Sequence, residues 1–122
     1  MRVDYAIVFV SDMERSTAFY RDVVGLPLRF ASPEWTEFAT DGATLALHAG
    51  DGAAPSAPPP GATPPGRCRP GLSVADLDAF HGRMLAHAVP CLQEPTDLHG
   101  ARLAQYADPD GLPLSVSQAR GS

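Results

Sequence analysis

The sequence has no lysine and no asparagine, a single tryptophan and only two cysteines. Its nine basic residues are all arginine and stand against fourteen Asp and Glu, leaving a net charge of −5. That balance repels nucleic-acid phosphates and anionic lipid alike, so neither is expected as a partner. The missing lysine and asparagine fit the codon bias of a G+C-rich genome and carry no mechanism. The N-terminal apolar stretch Tyr5–Val10 is too short for a membrane span. It also lacks the basic start and small-residue cleavage site of a signal peptide, so residence in the cytoplasm is expected. Cys68 and Cys91 show no CxxC spacing and are expected as free thiols. Gly50-Asp51-Gly52 lacks the third glycine and flanking strand and helix of a phosphate loop, and no G-x-S-x-G elbow exists.

What remains is a 122-residue chain, 44% hydrophobic and 19% charged, long enough to bury a core without staples. Proline and glycine are abundant and concentrated. Residues 50–66 read GDGAAPSAPPPGATPPG, through which neither helix nor strand can propagate. The reading is one domain, 1–122, made of a module at 1–49, a linker at 50–66 and a module at 67–118.

The modules repeat one another. Val8, Val10, Asp12 and Met13 correspond to Leu72, Val74, Asp76 and Leu77 at a constant offset of 64. Asp41-Gly42 and Leu45-Ala46-Leu47 correspond to Asp110-Gly111 and Leu114-Ser115-Val116 at an offset of 69. Each copy opens with an alternating strand, Ala6, Val8 and Val10 facing one way and Tyr5, Ile7 and Phe9 the other. A helix follows. In the first copy Ser11 and Glu14 suit a capping box, Phe19/Val23 and Tyr20/Val24 form apolar pairs, and Gly25 stops the helix. In the second, Asp76 caps a helix burying Leu77, Phe80, Met84 and Leu85 and ending before Pro90. Strands are then expected at 27–31, 35–40 and 43–49, and at 90–94, 101–107 and 112–118. Asp41-Gly42 and Asp108-Pro109-Asp110-Gly111 provide the last turns. Each module is thus βαβββ, and the fold class α+β.

With V-x-D-M-E at Val10–Glu14, the Phe19-Tyr20 pair, WTEFATDGATLALH at Trp35–His48 and D-P-D-G at Asp108–Gly111, the chain resembles the vicinal oxygen chelate superfamily. That group includes glyoxalase I, bleomycin-resistance proteins, fosfomycin-resistance enzymes and extradiol dioxygenases. The resemblance implies a curved mixed sheet around a central cavity, the glyoxalase/bleomycin resistance fold, and a homodimer. In its metal-using members four strand positions converge on a divalent ion. The resemblance places these at Tyr5, Ala46, Arg69 and Ser115, a set without a metal-binding donor array and with a permanent cation. No metal and no cofactor are expected, and the four-ligand chemistry of the metal-using members is put in doubt.

Alternation then turns Tyr5, Ile7, Phe9, Thr44, Ala46, His48, Arg69, Gly71, Ser73, Ser115 and Ser117 toward the cavity, with Trp35 and Glu37 placed on the same side because Phe38 reads as core. Tyr106 is read as the core counterpart of Phe38, turning Gln105 inward. The ligand-binding set is Tyr5, Ile7, Phe9, Trp35, Glu37, His48, Arg69, Gln105 and Ser115. Trp35 suits stacking on a planar ligand or packing at an interface. Glu37 suits pairing with Arg69 or plain exposure, and Arg69 a carboxylate clamp or plain exposure. His48 and Glu37 are the candidate catalytic bases; His81, His87 and His99 are expected on the solvated surface. The expected function is binding a small, aromatic natural product or antibiotic, giving resistance by sequestration. The alternative is a metal-free isomerase or lyase with His48 or Glu37 as general base.

Overall fold

The computed structural model describes residues 1–52 and 62–119, so residues 53–61 of the expected linker lie outside the described residues. The chain divides into two compact units, Met1–Pro55 and Ser56–Ser122.

The first unit runs β1 (Tyr5–Val10), α1 (Met13–Ala18), a π-helical continuation (Phe19–Val24), β2 (Leu28–Ala31), β3 (Trp35–Phe38) and β4 (Thr44–Ala49). Its sheet has the order β1-β4-β3-β2. β1 is parallel to β4, and the remaining neighbours are antiparallel. The second unit runs β5 (Gly71–Val74), α2 (Leu77–Ala86), β6 (Cys91–Leu98), β7 (Ala101–Ala107) and β8 (Pro113–Gln118), in the order β5-β8-β7-β6. Again the first strand lies parallel to the last. Two mixed four-stranded sheets with one helical segment each make the fold α+β, and both sequence offsets hold. Met13 and Leu77 each begin a helix, while Thr44–Ala49 and Pro113–Gln118 are matching strands.

Each helix packs on one face of its own sheet. In the first unit Val8, Val10, Tyr20, Phe38, Leu45 and Leu47 are buried there; in the second Leu77, Met84, Ala104, Tyr106, Leu114 and Val116 are. The alternation of β1 is as expected, with Val8 and Val10 buried and Tyr5, Ile7 and Phe9 exposed. Asp76 caps α2 by accepting the Ala79 N–H at 3.1 Å. Its counterpart Asp12, rather than Ser11, caps α1 by accepting the Arg15 N–H at 3.0 Å. Ser11, expected as the cap, accepts from the Arg15 guanidinium at 3.1 Å.

The first helix also departs from a single α-helix. From Phe19 it widens into a π-helix, ending at Gly25 with φ 94°, where the Gly25 and Leu26 N–H groups both donate to Tyr20 O. The wider turn lets the consecutive rings of Phe19 and Tyr20, 5.0 Å apart, both reach the core. In α2, Leu85 is 56% exposed, because it lies about 100° round the helix from buried Met84. His81, expected on the solvated surface, is half-buried, and its Nδ1 is 2.8 Å from the Tyr106 hydroxyl. Burial pushes the Tyr106 phenol up to about 12, so it stays protonated at neutral pH, and the His81 tautomer sets which partner donates.

β6 continues four residues past the expected 94, tolerating Pro95 because it is an edge strand whose pairing with β7 is irregular. It turns into β7 through His99 and Gly100, both at positive φ, as a two-residue hairpin requires. Asp108 holds the next turn, its carboxylate accepting from the N–H groups of Asp110 and Leu112 at 2.9 Å each. The two aspartate caps give a direct check: Asp12→Ala and Asp76→Ala should each lower unfolding free energy by about 1 kcal/mol in urea denaturation.

Candidate functional site: an aromatic face on the first sheet

Strand pairing decides which side chains share the face of the first sheet that its helix does not cover. In the β1–β4 ladder Tyr5, Ile7 and Phe9 stand opposite Thr44, Ala46 and His48, and in the β3–β4 ladder Trp35 and Glu37 stand opposite His48 and Ala46. Paired residues project to the same side of a sheet. Trp35 and Glu37 therefore share the face of Tyr5, Ile7, Phe9 and His48, while Phe38 is wholly buried on the other.

The rings on this face touch. Tyr5 and Trp35 lie 6.0 Å apart at 62°, Trp35 and His48 6.2 Å at 89°, and Phe9 and His48 5.3 Å at 60°. These are edge-to-face contacts, in which the positive ring edge meets the negative face of its neighbour. Because β4 separates β1 from β3, the Tyr5–Trp35 contact passes over β4 at Ala46, a side chain short enough to lie beneath it. Ala46 is thus fully buried although it lies on the open face. Phe9 is 68% exposed, as an apolar ring held by a core would not be.

One edge of the face is polar. Glu37 does not depend on Arg69; its partner is Arg29, whose Nη2 donates to Glu37 Oε1 at 2.9 Å and to Thr44 Oγ1 at 2.5 Å. Arg29 was not among the expected site residues. It is the extra residue of a β-bulge: β2 advances from Leu28 to Phe30 while its partner advances only from Phe38 to Glu37. Strict alternation from Leu28 assigns Arg29 to this face but Phe30 to the other, whereas the bulge brings Phe30 opposite Glu37 as well. The Arg29 guanidinium, followed by the Trp35 indole N–H, holds the Glu37 carboxyl below the usual glutamate range by donating hydrogen bonds to its charged form. Such a carboxylate is a weak proton acceptor at neutral pH. His48 Nδ1 is 2.7 Å from Ala49 O, which in the neutral ring fixes the proton on Nδ1 and leaves Nε2 as an acceptor.

The second sheet presents a different surface at the corresponding positions. Gly71 and Ser73 stand opposite Ser115 and Ser117, and Gln105 pairs with Ser115 and with Gln93. Ser115 and Gln105 are half-buried. Arg69 is exposed and precedes β5, which begins at Gly71, so it is not the strand residue that its correspondence to Tyr5 suggests.

A model of the Glyoxalase/Bleomycin resistance protein/Dioxygenase superfamily matches residues 2–116, and the chain belongs to that superfamily. No curated protein matches it. Among similar solved structures, TnmS3, an antibiotic binding protein from Streptomyces sp. CB03234, is 29% identical, with TM-score 0.73 over 98% of this chain and 97% of that one. A glyoxalase/dioxygenase from Nostoc punctiforme is 21% identical, with TM-score 0.80 over 98% and 92% of the two chains. TioX from Micromonospora sp. ML1 is 17% identical, with TM-score 0.73 over 97% and 98%. The last two show the fold alone.

The residues that the resemblance aligns with the metal positions of other members are not a divalent-ion donor set. Ala46 has no donor atom and is fully buried, Tyr5 and Ser115 offer only hydroxyls, and Arg69 is a guanidinium. Among the described residues no three His, Cys, Asp or Glu side chains form a group that would hold a metal. Cys91, whose thiol burial pushes up, is a poor nucleophile.

The Arg29–Glu37 pair has a pH signature. A depressed carboxylate pKa contributes stability at neutral pH that is lost as acidification passes the folded-state value. The stability difference between the wild type and Arg29→Met should therefore shrink as the pH falls below about 4.3, the ordinary glutamate value. Carbon-13 NMR should show the Glu37 titration moving upward in the variant.

Proposed function

We propose that the protein binds a small planar aromatic molecule, of natural-product or antibiotic type, on the aromatic face of its first sheet and sequesters it unchanged and without a metal. The observation that carries this reading is the ring array Tyr5–Trp35–His48–Phe9, held edge to face and open to solvent on the side that α1 leaves uncovered. An exposed apolar surface built around a few oriented polar groups is the usual make-up of a small-molecule site. The 29% identity to an antibiotic binding protein supports the same assignment. Stacking and apolar burial would supply the affinity, with Glu37, Arg29 and His48 setting orientation. Gln105, Ser115 and Arg69 remain proposed ligand contacts on the strength of the superfamily positions and strand alternation. We read the protein as a cytoplasmic homodimer, the assembly that the superfamily resemblance implies, to be checked by light scattering.

A second reading, an isomerase or lyase, draws on His48, whose bond to Ala49 O leaves Nε2 as the acceptor of the neutral ring. Glu37 suits that role poorly because Arg29 keeps its proton affinity low.

Trp35 is the sole tryptophan, so its fluorescence reports on this face directly. Titration with aromatic antibiotics should quench it, and mass analysis should recover the bound compound unaltered. Trp35→Ala should weaken binding, followed by calorimetry, at least tenfold, about 1.4 kcal/mol. Turnover abolished by His48→Ala would establish the second reading instead.

A further inference from the structure

We infer that the polar edge of the aromatic face selects neutral aromatic ligands bearing a hydrogen-bond-accepting oxygen and discriminates against aromatic acids; this rests on the reading of that face as the binding surface. An arginine beside stacked rings ordinarily suggests the reverse, since its fork of donors matches a carboxylate. Arg29 is differently engaged. Its Nη2 carries two hydrogens, and its two acceptors, Glu37 Oε1 at 2.9 Å and Thr44 Oγ1 at 2.5 Å, use both. A guanidinium has two edges at which a pair of parallel N–H bonds can grip a carboxylate, Nε with Nη2 and Nη1 with Nη2, and Nη2 belongs to both. Neither edge is left whole.

The charge is engaged as well. Glu37, with only 20% of its side chain exposed, supplies one full negative charge to the guanidinium's positive one. An arriving carboxylate would lose hydration on an apolar surface without meeting a free cation, a loss that burial makes costly. A carbonyl or phenol oxygen loses far less, and it can accept from Nε–H or an Nη1–H, which have no partner among the described residues.

Two probes of one shape separate the possibilities: 2-naphthamide and 2-naphthoate, titrated by calorimetry into the full-length protein. The wild type should bind the amide at least tenfold more tightly. Glu37→Gln, which retains an oxygen acceptor for Arg29 but removes the compensating charge, should raise the ratio of naphthoate to naphthamide affinity at least tenfold. Glu14→Gln makes the same change in net charge at an exposed site on α1, across the sheet, and should alter that ratio less than twofold. Arg29→Met should lower the ratio below the wild-type value. Equal or tighter naphthoate binding by the wild type would overturn the inference while leaving the aromatic-face reading intact. So would an unchanged ratio in Glu37→Gln. Failure of both probes to bind the wild type at millimolar concentration would overturn the reading and the inference together.

Discussion

The parallel pairing of the first strand of each unit with its last decides almost everything about the surfaces described above. Once β1 lies against β4 in the register Tyr5–Thr44 to Val10–Ala49, the side on which each residue of the two strands projects is fixed. Leu45 and Leu47 then join Val8 and Val10 beneath α1, so hydrophobic burial holds the register. A slip by one residue would exchange the two sets, burying His48 and exposing Leu47. The core and the open face are therefore two results of a single alignment, and the rings of Tyr5 and Phe9 stay in solvent because their neighbours along the strand cannot.

Much of this was legible in the chain. The two offsets located the Asp76 cap, the matching first and last strands and the closing turns, because those features depend on residue type at short range, while the first cap was expected at Ser11 and lies at its neighbour Asp12. The alternation of β1 and the core character of Phe38 correctly put Trp35 and Glu37 with Tyr5. What the sequence concealed depends on geometry that one residue does not encode. The π-helical turn arises because two adjacent aromatic rings must both find the core. His99-Gly100 lacks the Asn or Asp that usually announces a two-residue hairpin, and Pro95 made the end of β6 look earlier than it is. Strict alternation from Leu28 puts Arg29 beside Glu37 and so made that pair legible in principle, whereas the bulge that brings Phe30 opposite Glu37 cannot be read from a short strand.

The repeated architecture has diverged most where it is least constrained. Beneath the helices both units bury aliphatic residues and a matching aromatic ring on the third strand, Phe38 in one and Tyr106 in the other, the first unit adding Phe19 and Tyr20 from its helix. On the opposite faces the first unit presents rings and the second presents hydroxyls and amides. Packing against a helix restricts volume and polarity together, whereas an open face restricts neither. Ala46 is likewise compatible with the fold, since it fits under the Tyr5–Trp35 contact without disturbing the strand.

The bulge in β2 ties chemistry to chain length. Any side chain can replace Arg29 while the strand keeps its offset against β3. Loss of the residue itself would let the two strands zip into an uninterrupted ladder. Phe30 would stay opposite Glu37, now directly after Leu28, and the cation would vanish in the same genetic event. A lineage that shortened this strand would therefore inherit a smoother sheet carrying a lone negative charge among its rings, with a different set of compounds within its reach.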